Sequence, residues 1–292
     1  MSAARPVIGR FAPSPTGPLH QGSLLAAMAS YLSARTRHGK WLVRMEDIDI
    51  TRSHAHHADM ILRQLDALGF EWDGDILYQS TRNEAYRAAL DSLRRQNLLY
   101  ACDCRRATRI GGGRYTGVCR ERGLPLQETY AWRLRAEKIV VRFFDRIQGD
   151  CYWQEAPGAA DLILRRADGL FAYPLAVVVD DAAQGVTDVV RGADLLAATP
   201  SQRYLQALLG YVDVTYAHVP LLLQADGRKL SKRDQAPALT PTAALTDLQQ
   251  AWFYLGQRRL VSCGSVTEFW AQARLEWNEA RIPRQAQRLR KC

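Results

Sequence analysis

The chain has 292 residues, of which 47% are hydrophobic and 24% are charged, and its formal net charge is +9. This ordinary globular composition excludes a collagen-like, low-complexity or small disulfide-stapled protein. No run of about 18 apolar residues could cross a membrane, and the first residues lack the apolar core of a secretory signal. We therefore expect a cytoplasmic protein with no membrane partner, whose basic excess favours a polyanion such as nucleic acid.

The N-terminal part of the chain is predicted to alternate strands and helices. Apolar runs predict strands at 7–11 and 41–45, and a proline-rich loop separates the first strand from a helix that starts near Ser23. Two further helices are expected at 58–68 and 83–98. This order of elements is typical of a doubly wound parallel sheet.

The composition changes in the middle of the chain. Residues 100–173 are rich in glycine, cysteine and arginine and then show short strand-like runs, so we interpret them as part of an insertion. The continuous apolar run 175–179 predicts a buried parallel strand. It would end at Asp180 and Asp181, near a substrate crevice.

The last part of the chain is predicted to return to the sheet and then to become helical. A helix is expected at 201–209 and a strand at 219–223, and the residues beyond Thr240 have a helical pattern.

A first candidate site follows the first predicted strand. His20, Gly22 and Ser23 lie where an α/β sheet binds nucleotide phosphates, against free backbone amides and the positive end of a helix. Gly22 lets the backbone approach a ligand closely, and His20 can donate to a phosphate oxygen. The pattern is weak when taken alone, because a solvated turn can contain the same residues.

A second candidate site follows the last predicted strand. Lys229 and Lys232 lie in a loop bounded by Gly227. Two such lysines can clamp a triphosphate and neutralise the charge that builds at the α-phosphorus. Short basic runs are usually solvated loops, so this segment is also weak by itself.

Cysteine spacing provides a third candidate. Cys102, Cys104 and Cys119 lie close together in the sequence, which favours a metal site over a redox pair. Thiolates bind zinc well, and a structural site needs four ligands. Reduced cysteines packed in a small subdomain are the alternative.

Three histidines also look like metal ligands at first. His54 and His57 would share a helix face, with His56 and Asp59 nearby. Two histidines seldom suffice to hold a metal, so we interpret this segment as a solvated helix start.

The His20 and Lys232 motifs, in this order, resemble the two signatures of the class I aminoacyl-tRNA synthetases. Three further segments, 10–17, 44–49 and 191–194, resemble the glutamate and glutamine branch of that family. The resemblance implies an α/β fold, with a Rossmann-like doubly wound parallel sheet split by a zinc-containing insertion and followed by a short helical subdomain. The expected division is a split catalytic core, 1–79 and 174–235; the insertion, 80–173; and the C-terminal subdomain, 236–292.

The same resemblance implies the roles of individual residues. His20, Gly22 and Lys232 would be catalytic. ATP, with Mg²⁺, would be bound by His20, Gly22, Ser23, Lys229 and Lys232. Glutamate would be bound by Arg10, Ser14, Glu46, Tyr173 and Arg191. Chemically, two arginines can take the two carboxylates of glutamate and a carboxylate can take its ammonium group.

Truncated members of the glutamate branch carry a matching cysteine and tyrosine pattern. This likeness implies one structural Zn²⁺ per chain on Cys102, Cys104, Tyr115 and Cys119, with Cys151 as the alternative fourth ligand. The nearby cations form a candidate phosphate-facing patch: Arg105, Arg106, Arg109, Arg114, Arg120 and Arg122.

Only 59 residues follow Arg233, which is too few for the usual anticodon-binding region of the family. The chain resembles the truncated members that activate L-glutamate with ATP without tRNA. They then transfer it to queuosine at the wobble position of tRNA(Asp). We expect this reaction from a monomer. The alternatives are a minimal glutamyl-tRNA synthetase that charges a tRNA 3′ end and a non-catalytic RNA-binding paralogue.

Overall fold

Strands and helices alternate from the N-terminus up to Arg95, with one short strand that the sequence does not predict between its last two helices. The computed structural model describes residues 5–104, 115–137, 139–156, 158, 161–224, 227–228, 230 and 237–288. The first elements are β1 (Ile8–Phe11), α1 (Gln21–Arg35), β2 (Lys40–Met45), α2 (Ala55–Ala67), β3 (Leu77–Tyr78) and α3 (Asn83–Arg95).

The middle of the chain contributes five strands. They are β4 (Leu99–Cys102), β5 (Ala131–Leu134), β6 (Ile139–Asp145), β7 (Gly149–Glu155) and β8 (Ile163–Arg165). Strands β4, β5 and β8 form a separate antiparallel sheet. The β6–β7 hairpin also lies within the range predicted as the insertion, yet it joins the main sheet by pairing β6 with β10 (Thr215–Val219).

The main sheet has seven strands in the order β3-β2-β1-β9-β10-β6-β7, where β9 is Asp188–Gly192. Its neighbouring strands are parallel except for the antiparallel β6–β7 pair. This arrangement confirms the predicted α/β fold with a mostly parallel sheet. It also brings the carboxyl ends of β1, β9 and β10 together, where α/β sheets bind ligands.

The predicted strand at 175–179 is wrong, because this segment is part of helix α4 (Tyr173–Ala183). Pro174 lies in the first helical turn, where its fixed φ suits a helix and its missing N–H costs nothing. All five apolar residues are buried, so the helix shows no polar face within this run. A short, uniformly apolar run cannot by its pattern distinguish a buried strand from a buried helix. Asp180 and Asp181 consequently lie on a helix and do not mark a strand end.

The predicted strand at 219–223 is two strands. Pro220 lacks the N–H that a ladder needs, so β10 ends at Val219 and β11 is Leu222–Leu223. The remaining elements are α5 (Thr199–Leu208), α6 (Ala244–Tyr254), α7 (Val266–Glu276) and β12 (Gln287–Arg288), which pairs with β11. The helical pattern beyond Thr240 is thus confirmed in the described residues. Among them, no helix has both the length and the apolar character needed to cross a membrane.

The C-terminal helices pack on the sheet layer through an aromatic cluster. The ring of Trp270 lies 4.9 Å from the rings of both Tyr31 and Phe70, and Phe70 lies 5.3 Å from Trp41. Trp270 also donates from Nε1 to the carbonyl of Leu68 at 2.8 Å. This cluster joins α7 to α1 and β2.

We predict that Trp270→Ala lowers the free energy of unfolding by about 3–5 kcal/mol, because it leaves a large cavity in the cluster. Leu275→Ala on the same helix is the control, since Leu275 is 86% exposed and its change should have little effect. Urea unfolding followed by circular dichroism measures both. Equal losses in the two variants would contradict the role given to the cluster.

Candidate active site

A cavity of about 570 Å³ lies at the carboxyl ends of β1, β9 and β10. Every predicted ATP- or glutamate-binding residue that the structure describes borders it: Arg10, Ser14, His20, Gly22, Ser23, Glu46, Tyr173 and Arg191. Lys229 and Lys232 lie outside the described residues. Leu230, which stands between them in the sequence, is buried and borders the same cavity.

The N-terminus of α1 forms one wall of the cavity. His20 is the N-cap residue, and its Nδ1 accepts from the backbone N–H of Ser23 at 3.3 Å. The first turn of α1 carries no acidic residue, so its amide groups and helix dipole favour an anion. A Cβ at Gly22 would lie 3.0 Å from Cε1 of His20, so a larger residue would require the imidazole to shift by a few tenths of an ångström.

A buried ion network lies at the end of the cavity that Arg10 and Glu46 border. Arg10 donates from Nε to Asp181 Oδ1 at 3.0 Å, and Arg44 donates from Nη1 to the same oxygen at 2.7 Å. Arg44 also reaches Glu46 at 3.5 Å. Burial alone would raise the pKa of Asp181, but the two guanidinium groups hold it below its ordinary value. Asp181 therefore remains a carboxylate that fixes both arginines.

Glu46 follows β2 and borders the cavity. Burial raises its pKa above the ordinary value, against the attraction of Arg44 and Arg10. A positively charged ligand group beside Glu46 would restore the stability of the carboxylate. This environment suits an ammonium group.

Arg191 lies near the end of β9 and is buried. Its Nη1 lies 3.5 Å from the hydroxyl of Tyr173, and both residues border the cavity. Burial raises the pKa of Tyr173, so this hydroxyl keeps its proton and can donate to a ligand oxygen. The two side chains together form a site for an anionic oxygen.

Sequence reasoning missed three residues that support this cavity: Asp181, His218 and Asp145. Asp181 was interpreted as a strand end, and His218 and Asp145 lie in no motif. The sequence marks these three residues only weakly, because each is a polar residue next to apolar residues of a buried element.

The three predicted metal-ligating cysteines do converge. Cys102 ends β4, and the Sγ atoms of Cys102, Cys104 and Cys119 all lie within 4.8 Å of one another. Cys102 and Cys119 are buried, and Tyr115 packs in the same cluster. The Tyr115 hydroxyl accepts from the backbone N–H of Cys119 at 3.1 Å. Three converging thiols beside a phenol are a donor set that fits zinc.

The alternative fourth ligand lies elsewhere. Cys151 is on β7 and packs against a separate hydrophobic cluster that contains Phe143 and Val189. The predicted arginine patch is described only at Arg120 and Arg122, which pair with Asp161 and Asp103 respectively, and its other members lie outside the described residues.

The histidine segment forms the start of α2. His54 is the N-cap residue, and both His54 and His56 are exposed, as expected for a solvated helix start. Within the described part of the chain, the cysteine cluster is the group of three or more metal-ligating side chains that converges.

Comparisons with known proteins agree with this geometry. The family described as tRNA synthetases class I (E and Q), catalytic domain, matches residues 6–116 and 121–286. A glutamyl-Q tRNA(Asp) synthetase from Dechloromonas aromatica is 52% identical over 293 residues, covering 96% of this chain and 97% of the relative. A protein of the same name from Thiobacillus denitrificans is 54% identical over 257 residues, which is 85% of each chain.

Solved structures show the same fold. A glutamate tRNA ligase from Elizabethkingia meningosepticum, crystallised with its amino acid, superposes with a TM-score of 0.79 at 22% identity. The match covers 97% of this chain and 67% of the ligase.

Proposed function

The chain belongs to the class I tRNA synthetases for glutamate and glutamine, and we propose that it activates L-glutamate with ATP and transfers it to queuosine at the wobble position of tRNA(Asp). The names of relatives that match nearly its whole length support the acceptor. The observation that carries the proposal is that one cavity is bordered both by the residues predicted to bind glutamate and by the start of α1.

In this proposal, glutamate lies at the end of the cavity formed by Arg10, Glu46 and Arg191. The guanidinium groups of Arg10 and Arg191 bind the two carboxylates, and Glu46 binds the ammonium group. Tyr173 and Ser14 complete the polar wall. The fixed spacing of two cations and one anion selects an acidic amino acid over a neutral one.

ATP would lie along the start of α1, where His20, Gly22 and Ser23 meet the phosphates. Lys229 and Lys232 would close over the triphosphate, and Mg²⁺ would offset part of its charge. A glutamate carboxylate oxygen attacks the α-phosphorus, pyrophosphate leaves, and glutamyl-adenylate forms. A hydroxyl group of queuosine then attacks the activated carbonyl, and AMP leaves with the bonding electrons.

The second candidate is a minimal glutamyl-tRNA synthetase that charges the tRNA 3′ end. The likeness of the fold to a glutamate tRNA ligase favours it. The two candidates share the activation step and differ in the acceptor.

We also propose that Cys102, Cys104, Tyr115 and Cys119 hold one structural Zn²⁺. The convergence of the three thiols supports this set, and the Tyr115 hydroxyl is close enough to the Cys119 backbone to share a hydrogen bond with it. The ion would fasten the segment that leads to Cys119 to the end of β4.

We predict one zinc per chain by elemental analysis of protein purified without added metal. Cys104→Ser should lose most of it, because a structural site needs its thiolates. Cys151→Ser is the matched control and should retain one zinc. Zinc-free wild-type protein, or equal loss in the two variants, would contradict the assignment.

For activation, we predict ATP–pyrophosphate exchange that requires L-glutamate and proceeds without tRNA. Lys232→Ala should slow it about 100-fold, the effect of losing one group that stabilises the transition state. Lys40→Ala is the control, since Lys40 is exposed at the start of β2. Exchange that glutamine or aspartate supports equally well would refute the glutamate pocket.

For the acceptor, we predict that radioactive glutamate is transferred to tRNA(Asp) from cells that make queuosine and not to tRNA(Asp) from cells that lack it. Periodate oxidation of the 3′-terminal ribose, with queuosine protected, should leave transfer intact. Equal labelling of both tRNAs, or loss of labelling after 3′ oxidation, would establish the minimal glutamyl-tRNA synthetase instead.

A further inference from the structure

Buried groups bind the guanidinium of Arg191 on the side that faces away from the cavity. Its Nε donates to His218 Nε2 at 3.0 Å, and its Nη2 donates to the hydroxyl of Thr199 at 3.0 Å. The remaining nitrogen, Nη1, is the one that lies near the Tyr173 hydroxyl at the cavity wall. The guanidinium therefore has one anchored edge and one edge at the cavity.

His218 must present an acceptor to Arg191, because a guanidinium nitrogen can only donate. The ring is fully buried, and its Nδ1 lies 2.6 Å from Asp145 Oδ2. With Nε2 accepting, the proton of a neutral ring lies on Nδ1 and is donated to Asp145. The contact with Asp145 thus selects the tautomer that Arg191 needs.

Asp145 is itself fixed. Its Oδ1 accepts from the backbone N–H groups of Ile147, Gln148 and His218 at 3.1, 2.8 and 3.1 Å. The carboxylate is fully buried and does not border the cavity. These bonds leave Oδ2 oriented toward the imidazole.

The three residues lie on three adjacent strands of the main sheet. Arg191 is on β9, His218 is on β10 in register with it, and Asp145 ends β6. Strand β6 belongs to the hairpin that the middle of the chain adds to the core. A residue outside the predicted catalytic core therefore reaches the amino-acid pocket through two hydrogen bonds.

We propose that Asp145 and His218 are positioning residues for Arg191, and that they hold its cavity-facing edge in the orientation that binds a substrate carboxylate. The inference rests on the proposed function, since it takes the amino acid carboxylate as the ligand of Arg191. Neither residue touches the substrate.

The charges around His218 favour its neutral form. Asp145 faces the ring from β6, Arg191 from β9 and Arg10 from β1, and the Tyr216 ring stacks on it at 6.0 Å from its own strand. Burial and the two arginines lower the pKa of His218, whereas Asp145 acts to raise it. The pKa of Asp145 is also lowered, because its bonds to His218 and to backbone amides outweigh its burial.

The ring contacts Asp145 through Nδ1 and both Arg191 and the Thr199 hydroxyl through Nε2. Two substitutions at position 218 separate the contact with Asp145 from the contact with Arg191. An asparagine amide reaches about as far as Nδ1, so His218→Asn keeps a donor for Asp145 and loses the acceptor for Arg191. A glutamine amide reaches about as far as Nε2, so His218→Gln restores that acceptor. We expect His218→Asn to raise the KM for glutamate about 10- to 100-fold, the effect of losing a hydrogen bond to a charged group.

His218→Gln should retain most of the affinity for glutamate, and neither variant should change the KM for ATP by more than a few-fold. Glutamate-dependent pyrophosphate exchange measures these constants, and thermal unfolding confirms that both variants fold. Equal effects of the two substitutions, or equal changes in both KM values, would show a merely structural role and overturn the proposal.

Asp145→Asn tests the tautomer. Its amide would donate to Nδ1 of His218, move the ring proton to Nε2 and place two donors face to face at Arg191. We expect a rise in the KM for glutamate like that of His218→Asn. Combining Asp145→Asn with His218→Gln should partly rescue it, because glutamine has no ring proton to move and keeps its acceptor for Arg191. A double variant worse than Asp145→Asn would contradict the proposal.

The pH profile provides another readout. Protonation of His218 would also place a donor against Arg191. Because burial lowers the pKa of His218, the KM for glutamate should begin to rise only at a pH lower than the ordinary histidine value of 6.5. His218→Gln keeps Glu46 and the other titrating groups but should lack this rise. Identical pH profiles for the wild-type protein and His218→Gln would contradict the positioning role of His218.

Nitrogen-15 spectra of labelled histidine decide the question independently of activity. We expect the Nδ1–H tautomer of His218 in the wild-type protein and the Nε2–H tautomer in Asp145→Asn. Suppose the wild-type protein lacks glutamate-dependent exchange but the tautomer still differs between it and Asp145→Asn. That result would refute the proposed function and retain the Asp145–His218–Arg191 chain. An Nε2–H tautomer in the wild-type protein would overturn the chain itself.

Discussion

The charged end of the cavity, which Arg10 and Glu46 border, depends on the Asp181 carboxylate that two buried arginines share. Arg10 and Arg44 lie on neighbouring strands and are 3% and 0% exposed, so both cations depend on a buried counter-charge. Removing one partner from such a pair commonly costs about 3–5 kcal/mol, because a charge is left buried and uncompensated. Since Arg44 also contacts Glu46, Asp181 fixes Arg10 directly and Glu46 through Arg44.

Helix α4 makes this arrangement possible. Consecutive residues on a helix point about 100° apart, so Asp180 and Asp181 serve different neighbours. Asp181 faces the arginines of the sheet, whereas Asp180 accepts from Gln79 at 2.8 Å and from the Tyr86 hydroxyl at 2.6 Å. The two adjacent acids are therefore two separate anchors, one to the sheet and one to α3.

The parts of the fold that the sequence predicts are those whose signals are local. Periodic apolar residues locate α1, and the cysteine spacing locates the cluster because Cys102 and Cys104 are neighbours in the chain. The boundaries of β10 and β11 follow from Pro220 once the strand is known to be in the sheet. The incorrect prediction of a strand at 175–179 has a physical cause. Helix α4 is buried among α3, α5 and the small sheet that contains β5 and β8, so this run has no polar face to reveal its period.

The candidate site divides in the same way. The residues that would touch ligands lie in motifs, Tyr173 excepted, because substrate chemistry restricts their types and their order. Residues that orient them are joined only by folding: Asp145 and His218 are 73 positions apart, and Asp181 is 171 positions from Arg10. No pattern within either segment indicates the partner, since the first contact arises from strand order and the second from the packing of α4 on the sheet. The sheet that brings β6, β10, β9, β1 and β2 side by side thus supplies what the motifs lack, a fixed orientation for each charge at the cavity.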